Sequence, residues 1–193
     1  MQEEELQIQN FVSRPARYAN IDGMNELSWG AMCCGFASSD WLHAAMARDS
    51  LWHRPLVQMS IMLAMILLIY LGGKAFKRYV TYPRTGFVAY PQTARGRMAP
   101  LIAAGVAAVA ALGAAVVVRG GVRTATMLGA VNLLFYIVAA QPLRPWKYGF
   151  LVLIAAGTIW IADAHALLFF GLVFLASGAA TLTLYLWQTR AAQ

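Results

Sequence analysis

Charged side chains are scarce in this sequence. Asp, Glu, Lys and Arg make up 12% of its 193 residues, whereas 60% are hydrophobic. Soluble domains carry about 25% charged residues, so the polar side chains here are too few to cover a soluble surface. Residues 56–73 and 98–118 contain no Asp, Glu, His, Lys or Arg, and each run has roughly the length that a membrane-spanning helix needs. We therefore predict an all-α, polytopic transmembrane helical bundle.

Residues that carry catalysis or bind cofactors are also few. The sequence has three histidines and two cysteines, and the cysteines are the adjacent pair Cys33 and Cys34. Adjacent cysteines rarely pair with one another, so we interpret them as small packing side chains. No HExxH, GxSxG, P-loop or CxxC motif is present. The sequence thus predicts no catalytic residue, no metal site and no cofactor, and it favours a protein that is not an enzyme.

Six stretches are predicted to cross the membrane. The first is the weakest, because Glu26 and Asp40 interrupt it. Residues 1–24 are predicted to form a polar cytoplasmic segment, residues 25–187 the transmembrane helical domain, and residues 188–193 a cytoplasmic tail. The predicted spans are 25–47, 56–73, 99–118, 124–140, 148–162 and 166–187.

The distribution of basic residues predicts the orientation. With six spans, eleven Lys and Arg residues share the side of both termini and of loop 74–98, and four lie on the other side. Because basic loops stay in the cytoplasm, both termini are predicted to be cytoplasmic. The net charge of +7 is then expected to meet anionic lipid headgroups and not nucleic acid. The eleven are Arg14, Arg17, Lys74, Lys77, Arg78, Arg84, Arg95, Arg97, Arg144, Lys147 and Arg190, and the four are Arg48, Arg54, Arg119 and Arg123.

An acidic stripe marks the first predicted span. Glu26, Cys33 and Asp40 are seven residues apart, so each lies about 20° from the last around a helix. Acids inside a membrane are unfavourable and are typical of a path for a cation, a proton or a polar solute. Alternatively, Glu26 lies at the cytoplasmic interface, where the helix dipole stabilises a carboxylate, and Asp40 reaches the outer water. With Asp22 and Arg84 these acids form a predicted functional polar cluster.

The longest polar segment between predicted spans is the basic loop 74–98, which has six basic residues and no acid. Its prolines and glycines argue against one continuous helix, and Pro83 predicts a turn followed by an extended segment. Arg84 lies in that turn, on the same predicted side as Asp22 and Glu26. A guanidinium binds a carboxylate through two hydrogen bonds, so we predict that Arg84 ties the loop to Asp22 or Glu26. The alternative is a contact with lipid phosphate.

The third predicted span consists almost entirely of Ala, Val, Gly and Leu. Small residues recur at every fourth position, a pattern typical of helices that pack closely in membranes. The predicted packing residues are Ala103, Ala107, Ala111 and Ala115.

Asp163 and His165 lie in the turn between the fifth and sixth predicted spans. Two ligands are too few for a metal site, which needs three or four. His43 and His53 lie on the same predicted side and would complete a composite site. The alternative is a polar turn in which Asp163 caps the sixth helix.

Two segments of the chain carry a resemblance to a protein family. They are Arg17-Tyr18 with Asp22-Gly23 and Glu26, and Tyr82-Pro83-Arg84-Thr85-Gly86-Phe87-Val88. Together they resemble a set of uncharacterised small bacterial integral membrane proteins with a PRTGY-type cytoplasmic loop, with Phe87 in the place of the Tyr. The resemblance covers residues 17–90 and implies a location in the bacterial inner membrane, but no activity.

Three functions are compatible with these patterns. Small size, small-residue packing and the lack of a catalytic motif favour an accessory, scaffold or regulatory subunit of a larger bacterial membrane complex, with other membrane subunits or further copies of itself as partners. The first alternative is a small transporter or channel for a cation, a proton or a small solute, lined by the acidic stripe. The second is an enzyme that acts on lipid, with the basic loop holding a headgroup phosphate.

Overall fold

Helices make up nearly all of the structure. The computed structural model describes residues 21–47, 50–85, 94–121, 123–140 and 143–190, and these contain no strand. The prediction of an all-helical protein with helices at six places is confirmed. The long helices are Met24–Ala45 (α1), Pro55–Phe76 (α2), Ala94–Arg119 (α3), Thr124–Ala139 (α4), Lys147–Trp160 (α5) and Ala166–Arg190 (α6).

Among the described residues, three segments are long and apolar enough to cross a membrane: Pro55–Thr81, Leu101–Val118 and Asp163–Thr189. Helices α4 and α5 are apolar but have only 16 and 14 residues. At 1.5 Å per residue they measure about 24 and 21 Å, less than the roughly 30 Å of a hydrocarbon core. Helix α1 has 22 residues, but Asn25, Glu26 and Asp40 make it more polar than the others.

Helix α2 extends further than the sequence predicts. It continues without a break into a π-helical turn, Lys77–Thr81, and a short helical turn, Tyr82–Thr85. Lys and Arg are good helix formers, so a basic composition by itself does not end a helix. The amide of Tyr82 donates to the carbonyl of Lys77, five residues back, as a π-helix requires.

The prediction of a turn at Pro83 is therefore wrong as far as residue 85, and the extended segment predicted after it lies outside the described residues. Pro83 instead lies in the first turn of the short helix, where its missing N–H is tolerated. Residues 86–93 lie outside the described part of the chain. Since α3 begins at Ala94, the basic loop between helices is shorter at both ends than 74–98.

Glycines let α1 and α6 pack backbone against backbone. Gly23 and Gly30 at the start of α1 face Gly178 and Gly171 of α6, in antiparallel order. A methyl group added at Gly30 would lie 2.7 Å from the backbone nitrogen of Leu175, a distance that carbon atoms do not adopt. Gly23 also has a φ of +71°, which only glycine adopts readily. This is the most extensive contact between two helices of the protein.

The hydrophobic core lies among α3, α4, α5 and α6. Its largest buried side chains are Tyr136 of α4, Ile154 of α5, and Phe170 and Phe174 of α6. Consecutive helices from α3 to α6 pack against one another, as their short connections require. Helix α2 lies at the edge of the bundle: it packs against α1, and none of its residues is buried within the protein.

Candidate functional site

A buried ion pair joins α1 to α5. Glu26 lies in the first turn of α1, and Lys147 is the first residue of α5. The Nζ of Lys147 lies 2.5 Å from Oε1 of Glu26, and neither side chain is more than 2% exposed. Lys147 also donates to the carbonyl of Ala140, at the end of α4, at 3.1 Å. A charge removed from water is unfavourable unless it is paired and hydrogen-bonded, so each of these two charges depends on the other.

Hydroxyl groups complete the surroundings of Glu26. Its Oε2 lies 3.1 Å from Oγ1 of Thr181 and 3.4 Å from Oγ of Ser177. The hydroxyl of Tyr136 is 2.7 Å from that of Ser177, so Tyr136 donates to Ser177 when Ser177 donates to the carboxylate. We call Glu26, Lys147, Tyr136, Ser177 and Thr181 the ion-pair cluster. All five are buried, and together they connect α1, α4, α5 and α6.

Asp22 forms a second buried polar site, one helical turn before Glu26. Its Oδ1 accepts the backbone N–H of Met24 at 3.1 Å, and its Oδ2 accepts the hydroxyl of Thr81 at 2.8 Å. The hydroxyl of Tyr185 donates to the carbonyl of Thr81 at 3.3 Å. Asp22 thereby ties the π-helical turn after α2 to the start of α1, and Tyr185 ties the same turn to α6.

The predicted polar cluster is divided between two places. Asp22 and Glu26 are buried at the start of α1, whereas Asp40 is exposed, about 21 Å further along the helix than Glu26. The side chain of Arg84 lies outside the described part of the structure, so its tie to a carboxylate stays a prediction. The partners that the structure shows are Lys147 for Glu26 and Thr81 for Asp22.

The four predicted packing alanines of α3 do not share one environment. Ala111 and Ala115 are buried, Ala107 is partly buried and Ala103 is exposed. A step of four residues turns a helix by about 400°, so a strict four-residue stripe drifts about 40° per step away from any one face. Spacings of four and three alternate along the face that is buried. That face carries Ala104, Ala108, Ala111 and Ala115.

Two histidines meet at the other end of the bundle. The ring centroids of His43 and His53 are 4.2 Å apart, and Gln58 hydrogen-bonds to Nδ1 of His43. Among the described residues, however, no three His, Cys, Asp or Glu side chains are placed to hold a metal ion.

Asp163 caps a different helix from the one predicted. Its Oδ1 accepts the backbone N–H of Ala125 at 2.7 Å, in the first turn of α4. The interpretation of Asp163 as the cap of the sixth helix is therefore wrong. The first N–H groups of any helix lack a carbonyl partner within that helix. The Asp163 carboxylate accepts one such N–H group, that of Ala125 in the neighbouring helix α4.

The sequence interpretation missed Lys147, which it counted among the basic residues of the cytoplasmic side, and it also missed Tyr136, Ser177 and Thr181. A lysine in the first turn of a helix is unfavourable, because its positive charge lies at the positive end of the helix dipole. A lysine at this position in an apolar helix therefore indicates an acidic partner. Ser177 and Thr181 gave a second signal, since two hydroxyls four residues apart in an apolar helix share one face.

These features define the class as a helical membrane protein with a buried polar cluster at one end of its bundle. No protein-family model matches the chain, and no curated protein or solved structure shows a significant match to it. The resemblance to small bacterial membrane proteins with a PRTGY-type loop thus stays a prediction.

Proposed function

We propose that this chain is an accessory, scaffold or regulatory subunit of a larger membrane complex. The observation that carries the proposal is the position of α2, an apolar helix with no residue buried within its own protein. Leu56, Met59, Leu63 and Leu68 of α2 are each at least 68% exposed. Large exposed apolar surfaces mark contacts with a membrane or with another protein, and a helix attached at one side offers its other sides to a partner.

The rest of the protein is suited to hold α2 in place. Helix α2 packs against α1. Helix α1 is in turn fixed to α6 by the glycine contacts and to α5 by the ion pair of Glu26 and Lys147. The hydrogen bond from Thr81 to Asp22 secures the far end of α2 to the same framework. Such a framework presents one apolar helix in a defined orientation, which is what a scaffold or regulatory subunit requires.

The proposal includes a six-span topology in the bacterial inner membrane, with both termini cytoplasmic. Lys147 is the first residue of α5 and is paired with Glu26, so we leave it out of the count of basic loop residues. The count of basic residues then falls from eleven to ten on the predicted cytoplasmic side, against four on the other. The asymmetry that supports the orientation is therefore preserved.

Site-specific photocrosslinking in native membranes tests the partner. We expect a photoreactive residue at Leu63 or Leu67 of α2 to yield discrete crosslinked protein bands, with a second copy of the chain counted as a partner. Val109 of α3 and Val152 of α5 are comparably exposed and provide matched controls that should yield lipid adducts only. Lipid adducts alone at all four positions would contradict the proposal.

A small transporter is the second candidate, and the ion-pair cluster favours it. A buried carboxylate beside an ammonium and several hydroxyls is typical of proton and cation pathways. It ranks second because the cluster lies at one end of the bundle, while Leu133, Phe170 and Phe174 fill the core beyond it. Liposomes that contain only this chain test the idea: absence of proton, cation or solute flux removes it.

A further inference from the structure

A cleft of about 450 Å³ opens between α1 and α2. It is bounded by the first turns of α1 and the last turns of α2, together with Phe135 of α4. Its volume lies within the range of about 300 to 1,000 Å³ that is usual for small-molecule sites. Neither the scaffold function nor the transporter function proposed above uses this cleft.

The cleft changes from polar to apolar along its length. At one end lie Lys74, Lys77 and Asn25, and at the other Met32 and Ile66. The Nζ of Lys77 donates to the side-chain oxygen of Asn25 at 3.0 Å. Lys and apolar side chains that share one cleft in this order match a ligand with an anionic head and a hydrocarbon tail.

The charge at the polar end is of one sign. Lys74 and Lys77 both line the cleft, and no acidic residue is among the described residues that do so. The two carboxylates at the start of α1 are directed elsewhere, since Asp22 binds the hydroxyl of Thr81 and Glu26 binds Lys147. An anion that enters between these lysines therefore meets no carboxylate of a described residue that lines the cleft.

The depth of the cleft fits one leaflet of a bilayer. Ile66 and Lys77 are eleven residues apart on a continuous helix, which corresponds to about 16 Å along its axis. Half of a hydrocarbon core measures about 15 Å. With the lysines at the level of the headgroups, the apolar end of the cleft lies near the middle of the membrane, as deep as an acyl chain extends.

We propose that this cleft is a binding site for an anionic phospholipid. Lys74 and Lys77 hold the headgroup phosphate, and one acyl chain lies along Ile69 and Ile66 towards Met32. The cleft borders the junction of α1 and α2, so a bound lipid fills the gap between these two helices. The site does not depend on whether a partner subunit binds α2.

The test uses the full-length protein, delipidated in mild detergent, with phosphatidylglycerol and phosphatidylcholine as probes. We expect native mass spectrometry to show retained phosphatidylglycerol and little phosphatidylcholine. Lys74→Gln and Lys77→Gln should each weaken phosphatidylglycerol binding about fivefold, and the double variant about 25-fold. Arg78→Gln is the matched control. It removes the same charge from the same helical stretch, but Arg78 does not line the cleft, and its guanidinium lies near the Tyr79 ring instead.

A second variant separates a defined cleft from a generally basic surface. Ile69→Trp fills the apolar part without changing charge, and it should abolish retention while the thermal unfolding midpoint stays near that of the unmodified protein. The proposal would be overturned if Arg78→Gln and Lys74→Gln weakened phosphatidylglycerol binding equally. It would also be overturned if Ile69→Trp retained phosphatidylglycerol fully. Inorganic phosphate in millimolar amounts should leave the bound lipid in place; displacement at that level would identify a site for a free anion and reject the lipid.

Discussion

Lys147 and Glu26 are 121 positions apart in the chain, yet the ammonium of one lies 2.5 Å from the carboxylate of the other. The contact fixes the start of α5 to the start of α1, and Lys147 extends it to the end of α4 through the carbonyl of Ala140. Neither charge reaches water, so the pair holds three helix ends together at one end of the bundle. Loss of one partner leaves the other charge buried without compensation.

The first prediction follows from this contact. Lys147→Met should lower the free energy of unfolding by about 3–5 kcal/mol, because the Glu26 carboxylate then stays buried without its partner. Glu26→Gln with Lys147→Met should recover much of the loss, since neither charge remains. Thermal unfolding in one detergent measures both variants. A double variant as unstable as Lys147→Met alone would show that the pairing is not the source of the effect.

The second prediction concerns the glycines between α1 and α6. Gly30→Ala should destabilise the protein by about 1–3 kcal/mol, because the added methyl group forces two backbones apart. Gly113→Ala is the matched control, since nothing lies within 4 Å of a methyl group added there, and it should stabilise α3 by about 0.5–1 kcal/mol. Opposite shifts of the unfolding midpoint are expected, and shifts of the same sign would contradict close packing at Gly30.

The third prediction uses the two sides of α3. Ala111 is buried and Ala103 is exposed. Ala111→Leu should therefore destabilise the bundle by about 1–3 kcal/mol through overpacking, whereas Ala103→Leu should have little effect. Unfolding midpoints in detergent compare the two variants. If Ala103→Leu lowers the unfolding midpoint more than Ala111→Leu does, α3 packs against the bundle through a face other than the one that carries Ala111.

The fourth prediction tests the cap of α4. Asp163→Ala removes the acceptor for the amide of Ala125 and should cost about 0.5–2 kcal/mol of stability, as other losses of an N-terminal cap do. Asp163→Asn keeps a side-chain oxygen at the same position, so it should retain most of that stability. Equal losses from both substitutions would indicate that the charge of Asp163, and not its role as an acceptor, is what α4 requires.

Much of the fold was predictable because a membrane helix depends on local sequence. Uninterrupted apolar runs fix the positions of the helices, and short connections make α3 to α6 neighbours. The extension of α2 through Lys77–Thr81 was not predicted, because basic residues mark the membrane boundary but do not end a helix.

The ion-pair cluster was predictable only in part. Glu26 was selected because acids inside a membrane are unfavourable without partners, and Asp22, which lies outside the cluster, was selected as a predicted partner of Arg84. Their partners, Lys147 and Thr81, depend on how α1 meets α5 and α2 in three dimensions, which no local pattern encodes. Gly23 and Gly30 are seven residues apart, as are Gly171 and Gly178. This matching spacing identifies the contact between α1 and α6 once the two helices are known to be neighbours.

The last prediction concerns topology, and cysteine labelling in intact cells tests it. In a Cys33→Ala, Cys34→Ala background, single cysteines replace Tyr79, just after α2, or Trp160, at the end of α5; both side chains are well exposed, at 73% and 68%. With cytoplasmic termini and six spans, an impermeant maleimide should label Trp160→Cys in intact cells and Tyr79→Cys only after lysis. The native-like unfolding midpoint of each variant confirms that the label reads the folded protein. Labelling of Tyr79→Cys in intact cells would invert the orientation, and it would place Lys74, Lys77 and the cleft beside them at the outer leaflet.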